Sequence, residues 1–175
     1  MTLRKLRDLV AQDGGLLADA LRANADGATP YADAIASAPR AIGHTADLPL
    51  VIEAVREGYL LHYGAPRLMS REDDDLALLA GDRLYALALE RLAAAGDLAA
   101  VSALSDLIAL SAQAQASADE RLADAVWAAG CAELGWGSSA DLEAAKDAAR
   151  AGETDAPERL RAAARHVAGD LALTR

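Results

Sequence analysis

The run Leu78-Leu-Ala-Gly-Asp-Arg-Leu-Tyr-Ala-Leu-Ala-Leu-Glu-Arg-Leu-Ala-Ala-Ala-Gly-Asp97 decides the fold class. Leu and Ala supply twelve of its twenty positions, and both stand at the top of the helix-propensity scale. Gly96 is suited to the left-handed residue that closes a helix, and Asp97 to the cap of the next one. Upstream, Ser70 with Asp73 resembles an acidic capping pattern, so the spacing predicts the longest helix over Arg71 to Ala95.

The same punctuation divides the rest of the chain. Toward the N-terminus, Leu3, Leu6, Leu9 and Val10 predict a helix over Leu3 to Asn24, broken or kinked at Gly14-Gly15. Thr29-Pro30 opens a short helix that Pro39 closes. Asp47 starts another, striped by Leu50, Val51, Ala54, Val55, Gly58, Leu61 and His62 and ended by Gly64 and Pro66. Beyond Asp97, the helix carrying Leu98, Val101, Leu104, Leu107, Ile108 and Ser111 is followed by a capping box at Ser117 and Glu120. That box opens a helix running to Leu134. Ser138 or Ser139 caps a mostly polar helix ending near Gly152, and Asp155 with Glu158 opens a last one reaching the chain terminus. Nothing reads as a strand. The expectation is an all-α, compact bundle of about eight helices in a single domain, residues 1–175, with short loops and antiparallel neighbours.

Composition narrows the function classes. The chain has 53% hydrophobic residues, 3% aromatics, no Phe and a net charge of −10. Such a surface repels phosphate backbones, so nucleic acid is not expected as a partner. No apolar run predicts a transmembrane segment. The basic N-terminus, with Arg4, Lys5 and Arg7, lacks the apolar stretch of a signal peptide. The lone Cys131, within an apolar helical pattern, reads as a small buried hydrophobe; a single cysteine fits a reducing, cytoplasmic location.

Few residues suggest chemistry. Glu72-Asp73-Asp74-Asp75 is the one acidic cluster. Consecutive helical positions point about 100° apart, so at most two of the four share a face, and first-turn acids serve the helix dipole instead. His44, His62 and His166 lie on separate segments, none at metal-ligand spacing; His62 reads as a partly buried, satisfied side chain. Gly135-Trp136-Gly137 is too short for a phosphate loop, and Trp136 is expected to plug a gap between helices. These residues predict no catalytic, cofactor or metal site.

The Leu78–Asp97 run also resembles the segment of trans-polyprenyl diphosphate synthases in which an L-A-G-D-x-L-x-A-x-A motif begins a core helix. The following AAVSALSDLIALSAQAQA is similar to that family's next helix. Upstream, VIEAVREGYLLHYGAPRL resembles the helix that, in active synthases, carries the first aspartate-rich motif. The likeness covers about Leu48 to Gly135. At the first aspartate position this chain reads His62-Tyr63-Gly64-Ala65 after Leu60-Leu61, and the C-terminal third lacks the second cluster. The resemblance therefore implies an isoprenoid-synthase-like but truncated fold, similar to the small non-catalytic subunit of hetero-oligomeric heptaprenyl or polyprenyl diphosphate synthases.

On the same helix, Gly81, Asp82, Tyr85, Ala88, Leu89 and Leu92 lie near one stripe, with Gly81 and Ala88 permitting close approach. These six are the candidate partner interface, and Asp82 would need a polar partner if buried. The expected function is an accessory subunit that binds a catalytic prenyltransferase and modulates its stability or product length. The alternatives are a homodimeric scaffold or adaptor and a carrier of an apolar isoprenoid ligand.

Overall fold

The computed structural model describes residues 2–171. Among them the chain forms nine helices and no strand: α1 (Thr2–Asp13), α2 (Gly15–Asp19), α3 (Pro30–Ala36), α4 (Leu48–Tyr63), α5 (Asp74–Ala94), α6 (Leu98–Ala116), α7 (Glu120–Trp136), α8 (Ala140–Arg150) and α9 (Ala156–Ala168). Two packed groups share one apolar core. In the first, α4 lies against α1, α3 and α5; in the second, α7 lies against α6 and α9, with α8 on α9. α4 is the axis of the molecule, since eleven of its sixteen residues are buried. Fully burying each Leu, Ile or Val there contributes roughly 1.5–3 kcal/mol.

Helix ends explain most boundaries. Asp73, Asp97, Asp119 and Ser139 each accept a hydrogen bond from the backbone N–H three residues on, filling one of the orphan donors of a helix start. α5 thus begins at Asp74 and not Arg71; the Ser70 hydroxyl instead accepts from the N–H of Glu72. The cap of α7 is likewise Asp119, not Ser117, which is the last residue of the α6 terminus.

That shift has a backbone cause. Three helices end in the same paired-bond turn. Gly96 donates to Ala93 O while Asp97 donates to Leu92 O; Gly152 and Glu153 repeat the pattern with Ala149 and Ala148. The third turn uses Ala118, at φ 53°, with N–H bonds from Ala118 to Gln115 and from Asp119 to Ala114. A left-handed alanine at a glycine position hides the helix end from sequence.

Two further boundaries differ. The first helix stops at Asp13, because Gly14 and Gly15 both take positive φ, and a short α2 follows. Residues beyond it run without helix to Pro30, where Leu21 forms an isolated bridge with Met69 and Arg22 donates to Leu68 O. At the other end α9 closes at Ala168, with Gly169 at φ 71°. The expected continuation to the chain terminus therefore fails by Gly169, and residues 172–175 lie outside the described part.

Candidate functional site

α4 and α5 cross at two glycines. A Cβ on Gly58 would stand 3.0 Å from Gly81 O and 2.9 Å from the Tyr85 ring; one on Gly81 would stand 2.4 Å from His62 Nε2 and 3.2 Å from Gly58 O. Only hydrogen fits at either position. The close approach expected of Gly81 is therefore made inside the chain, against α4. Ala88 and Leu92 are fully buried as well. These three are unavailable to a partner, because α5 turns them into its own core. Tyr85 and Leu89 stay half-buried, and Asp82 points to solvent with 71% of its side chain exposed.

At this crossing His62 stacks flat on Tyr85, with ring centroids 5.4 Å apart and planes 4° from parallel. Its Nε2 lies 3.3 Å from Asp82 Oδ1 but outside hydrogen-bonding alignment. His62 is thus partly buried as expected, though not fully satisfied. Tyr63, at the position where the resembled family carries aspartate, is 44% exposed and packs on Tyr59. The acids Glu72 to Asp75 are all exposed, with Asp73 capping α5 and Asp74 and Asp75 in its first turn. Among the described residues no three His, Cys, Asp or Glu side chains are grouped to hold a metal ion.

A second feature escaped the sequence reading. On the far side of α4, a cavity of about 440 Å³ opens between α3, α4, the end of α6 and the first half of α7. Its wall holds Tyr31, Tyr59 and Trp127, whose centroids all lie within 5.1 Å of the Arg56 guanidinium carbon. Three of the chain's six aromatic side chains thus surround one cation. Gln115 Nε2 donates to Tyr59 Oη at 2.5 Å, and burial pushes the Tyr31 hydroxyl up to about 12, so it remains a proton donor across the physiological range. Trp127 is the fully buried tryptophan; Trp136 is only half-buried. Single, widely separated aromatics give no periodic signal, so only the fold brings them together.

Beside this cavity two glutamates are buried within α4. Glu57 accepts from Arg67 N at 2.5 Å, Leu68 N at 2.6 Å and Arg67 Nε at 3.0 Å, while Glu53 pairs with Arg67 Nη2 at 2.5 Å. Burial raises the Glu53 carboxyl, and the Arg67 charge opposes it. This cluster fastens the Pro66–Met69 loop to α4. An equally buried cation ties the C-terminal half together. Lys146 lies 3.0 Å from Glu133, 2.9 Å from Asp106 and 2.9 Å from Glu143, which anchors the polar α8 to α6 and α7. At the α5–α6 turn, Asp97 accepts from Arg40 at 2.6 Å and pairs with His44 Nε2 at 3.0 Å. His44 Nδ1 takes the Ala46 N–H, so Nε2 carries the proton toward Asp97. Cys131 is fully buried, and desolvation pushes its thiol well above the ordinary range.

α6 is the one described helix long and apolar enough by composition to cross a membrane. Its inward face is built into the core through Ala103, Leu104, Leu107, Leu110 and Ala114. Its outward face is unusual in another way. Leu98 to Ala116 contains a single charged residue, Asp106, and that one turns toward Lys146 and Arg150. Leu98, Ala99, Ser102, Ser105 and Ala109 are exposed, leaving a helix-long neutral strip on a chain of charge −10. Comparison with family models, curated proteins and solved structures found no match to this chain.

Proposed function

We propose that the chain is a non-catalytic helical subunit that docks on a catalytic polyprenyl diphosphate synthase and modulates its stability or product length. The observation that carries the association is the neutral outer face of α6. Charged side chains keep an exposed helix solvated, and their depletion marks the centre of protein interfaces. Leu78 and Leu79 on α5, 46% and 65% exposed, and Leu98, 74% exposed, add apolar surface on the same consecutive helices. The identity of the partner rests on the resemblance of Leu48 to Gly135 to the synthase core. The non-catalytic character rests on the same alignment, in which Tyr63-Gly64-Ala65 occupy the position of the metal-binding aspartates; without them a leaving diphosphate lacks its Mg²⁺ clamp.

The test is co-purification with a full-length synthase carrying both aspartate-rich motifs, using the unaltered chain and the Ser105→Arg/Ala109→Arg variant. Both substituted side chains are exposed, so the variant should keep its thermal midpoint and lose the partner. Retention of the variant would move the contact elsewhere. Formation of a homodimer with no synthase bound would replace this reading by a self-associating scaffold.

A further inference from the structure

The cavity around Arg56 goes beyond the association role, and its charge pairing is the informative feature. The chain holds 27 carboxylate residues against 17 lysines and arginines, so acceptors for cations are abundant. Each of the other partly buried arginines finds an oxygen acceptor. Arg40 bonds Asp97, Arg67 bonds Glu57, Arg83 bonds Asp13 and Arg159 bonds Glu153, while Arg7, Arg91 and Arg161 bond backbone carbonyls. Arg56 differs. Among the described residues its guanidinium forms no hydrogen bond or ion pair, and its neighbours are the π faces of Tyr31, Tyr59 and Trp127.

Aromatic faces attract the guanidinium charge but accept none of its in-plane N–H groups. The rings therefore hold a cation in place while leaving its donors to whatever enters the cavity. That is a preorganised fork, and a planar fork matches a carboxylate or a phosphate with two parallel hydrogen bonds. At about 440 Å³ the space suits a small organic molecule. Leu60 and Ala123 line it with apolar surface, and Glu120 and Asp124 stand exposed at its edge.

We propose that the cavity binds a small organic anion, a carboxylate or phosphate-monoester head on an apolar ring, with Arg56 gripping the oxyanion. The Gln115 bond to Tyr59 fixes the ring beside the head, and Tyr31 offers a second donor.

Trp127 in the wall gives the readout. Benzoate and phenyl phosphate are titrated against the intact chain by intrinsic fluorescence and calorimetry, in the Trp136→Phe background so that Trp127 reports alone. Benzylamine and inorganic phosphate serve as the charge-reversed and bodiless controls. A saturable response to one of the two aromatic oxyanions, absent with both controls, is expected; which of them binds assigns the head group. Arg56→Gln should weaken it roughly 10- to 100-fold, the factor of a lost charged hydrogen bond. Should Arg56→Gln fail to fold, Arg56→Lys keeps the charge over the rings without the fork and should still weaken binding at least about tenfold. No saturation by either oxyanion up to about 10 mM, where binding is weaker than any useful site, overturns the proposal. So does equal affinity in the Arg56 variants, or tighter binding of benzylamine.

Discussion

Replacing Gly81 by Ala tests the crossing that positions α5 on α4. In a free helix this change is favourable, by about 1 kcal/mol, because alanine loses less backbone entropy. Here the new methyl would stand 2.4 Å from His62 Nε2 and 3.2 Å from Gly58 O. The ring cannot swing aside freely, since it is stacked on Tyr85, and the Gly58 oxygen belongs to the helix backbone. Overpacking of this kind costs about 1–3 kcal/mol, so Gly81→Ala should cancel that gain and lower stability by up to about 2 kcal/mol net. For a chain of this size that is a fall of a few degrees in Tm, at about 2–4 °C per kcal/mol. Urea unfolding followed by circular dichroism gives the value directly. The His62→Ala/Gly81→Ala pair should be less destabilised than the sum of its single variants, because the ring is the nearest obstacle. A Gly81→Ala chain more stable than the parent, or an additive pair, would refute a glycine-dependent crossing.

Three other perturbations follow. Lys146→Met leaves Glu133, 5% exposed, without its cation and should cost about 3–5 kcal/mol, whereas adding Glu133→Gln should recover part of that loss in a double-mutant cycle. Ala118→Gly should stabilise by about 0.5–1 kcal/mol, since it relieves a left-handed alanine at a small entropic cost; a loss of stability would contradict the φ of 53°. Acid should weaken the fold through Asp97 and Asp106. Burial pushes both carboxyls up, but the bonds from Ala100 and His44 to one, and from Lys146 and Arg150 to the other, outweigh it and hold both below their ordinary 3.8. The unfolded chain then takes up protons first, so this stability is complete above that value and is lost as pH falls through it. Glu53, raised by burial, contributes with the opposite sign, so Asp97→Asn isolates the effect: its unfolding midpoint should vary less than the parent's between about pH 3 and 6.

The all-helical class was legible because it depends on composition summed over long windows, as in Leu78 to Asp97. Boundaries were legible where the terminating residue has a chemical signature: Gly96 with Asp97, and Ser139. They were misread where two signals competed. Ser117 and Glu120 imitate a capping box, yet Asp119 takes the cap because Ala118 makes the turn that a glycine usually makes. Of the six interface candidates, Gly81, Ala88 and Leu92 lie on the buried side of α5. An alanine-rich helix has a weak apolar moment, and sequence alone does not say which of its faces meets α4. Buried charges were the least legible features. Glu53, Glu57 and Lys146 look like surface residues in a helical pattern, and all their partners except Glu143 lie on other segments, from ten to forty residues away. The Arg56 cavity, assembled from four separate helices, has the same cause.

Assistance without catalysis is decided by prenyl transfer measured in three arms: this chain alone, a full-length synthase alone, and the two together, each with isopentenyl and allylic diphosphates and Mg²⁺. The chain alone should yield no elongated product, because losing even one preorganised contact to developing charge costs roughly 10²–10³ in rate. The mixture should differ from the synthase alone in product length or in half-life at elevated temperature. Clear turnover by the chain alone, or a mixture indistinguishable from the synthase, would rule out a non-catalytic accessory subunit.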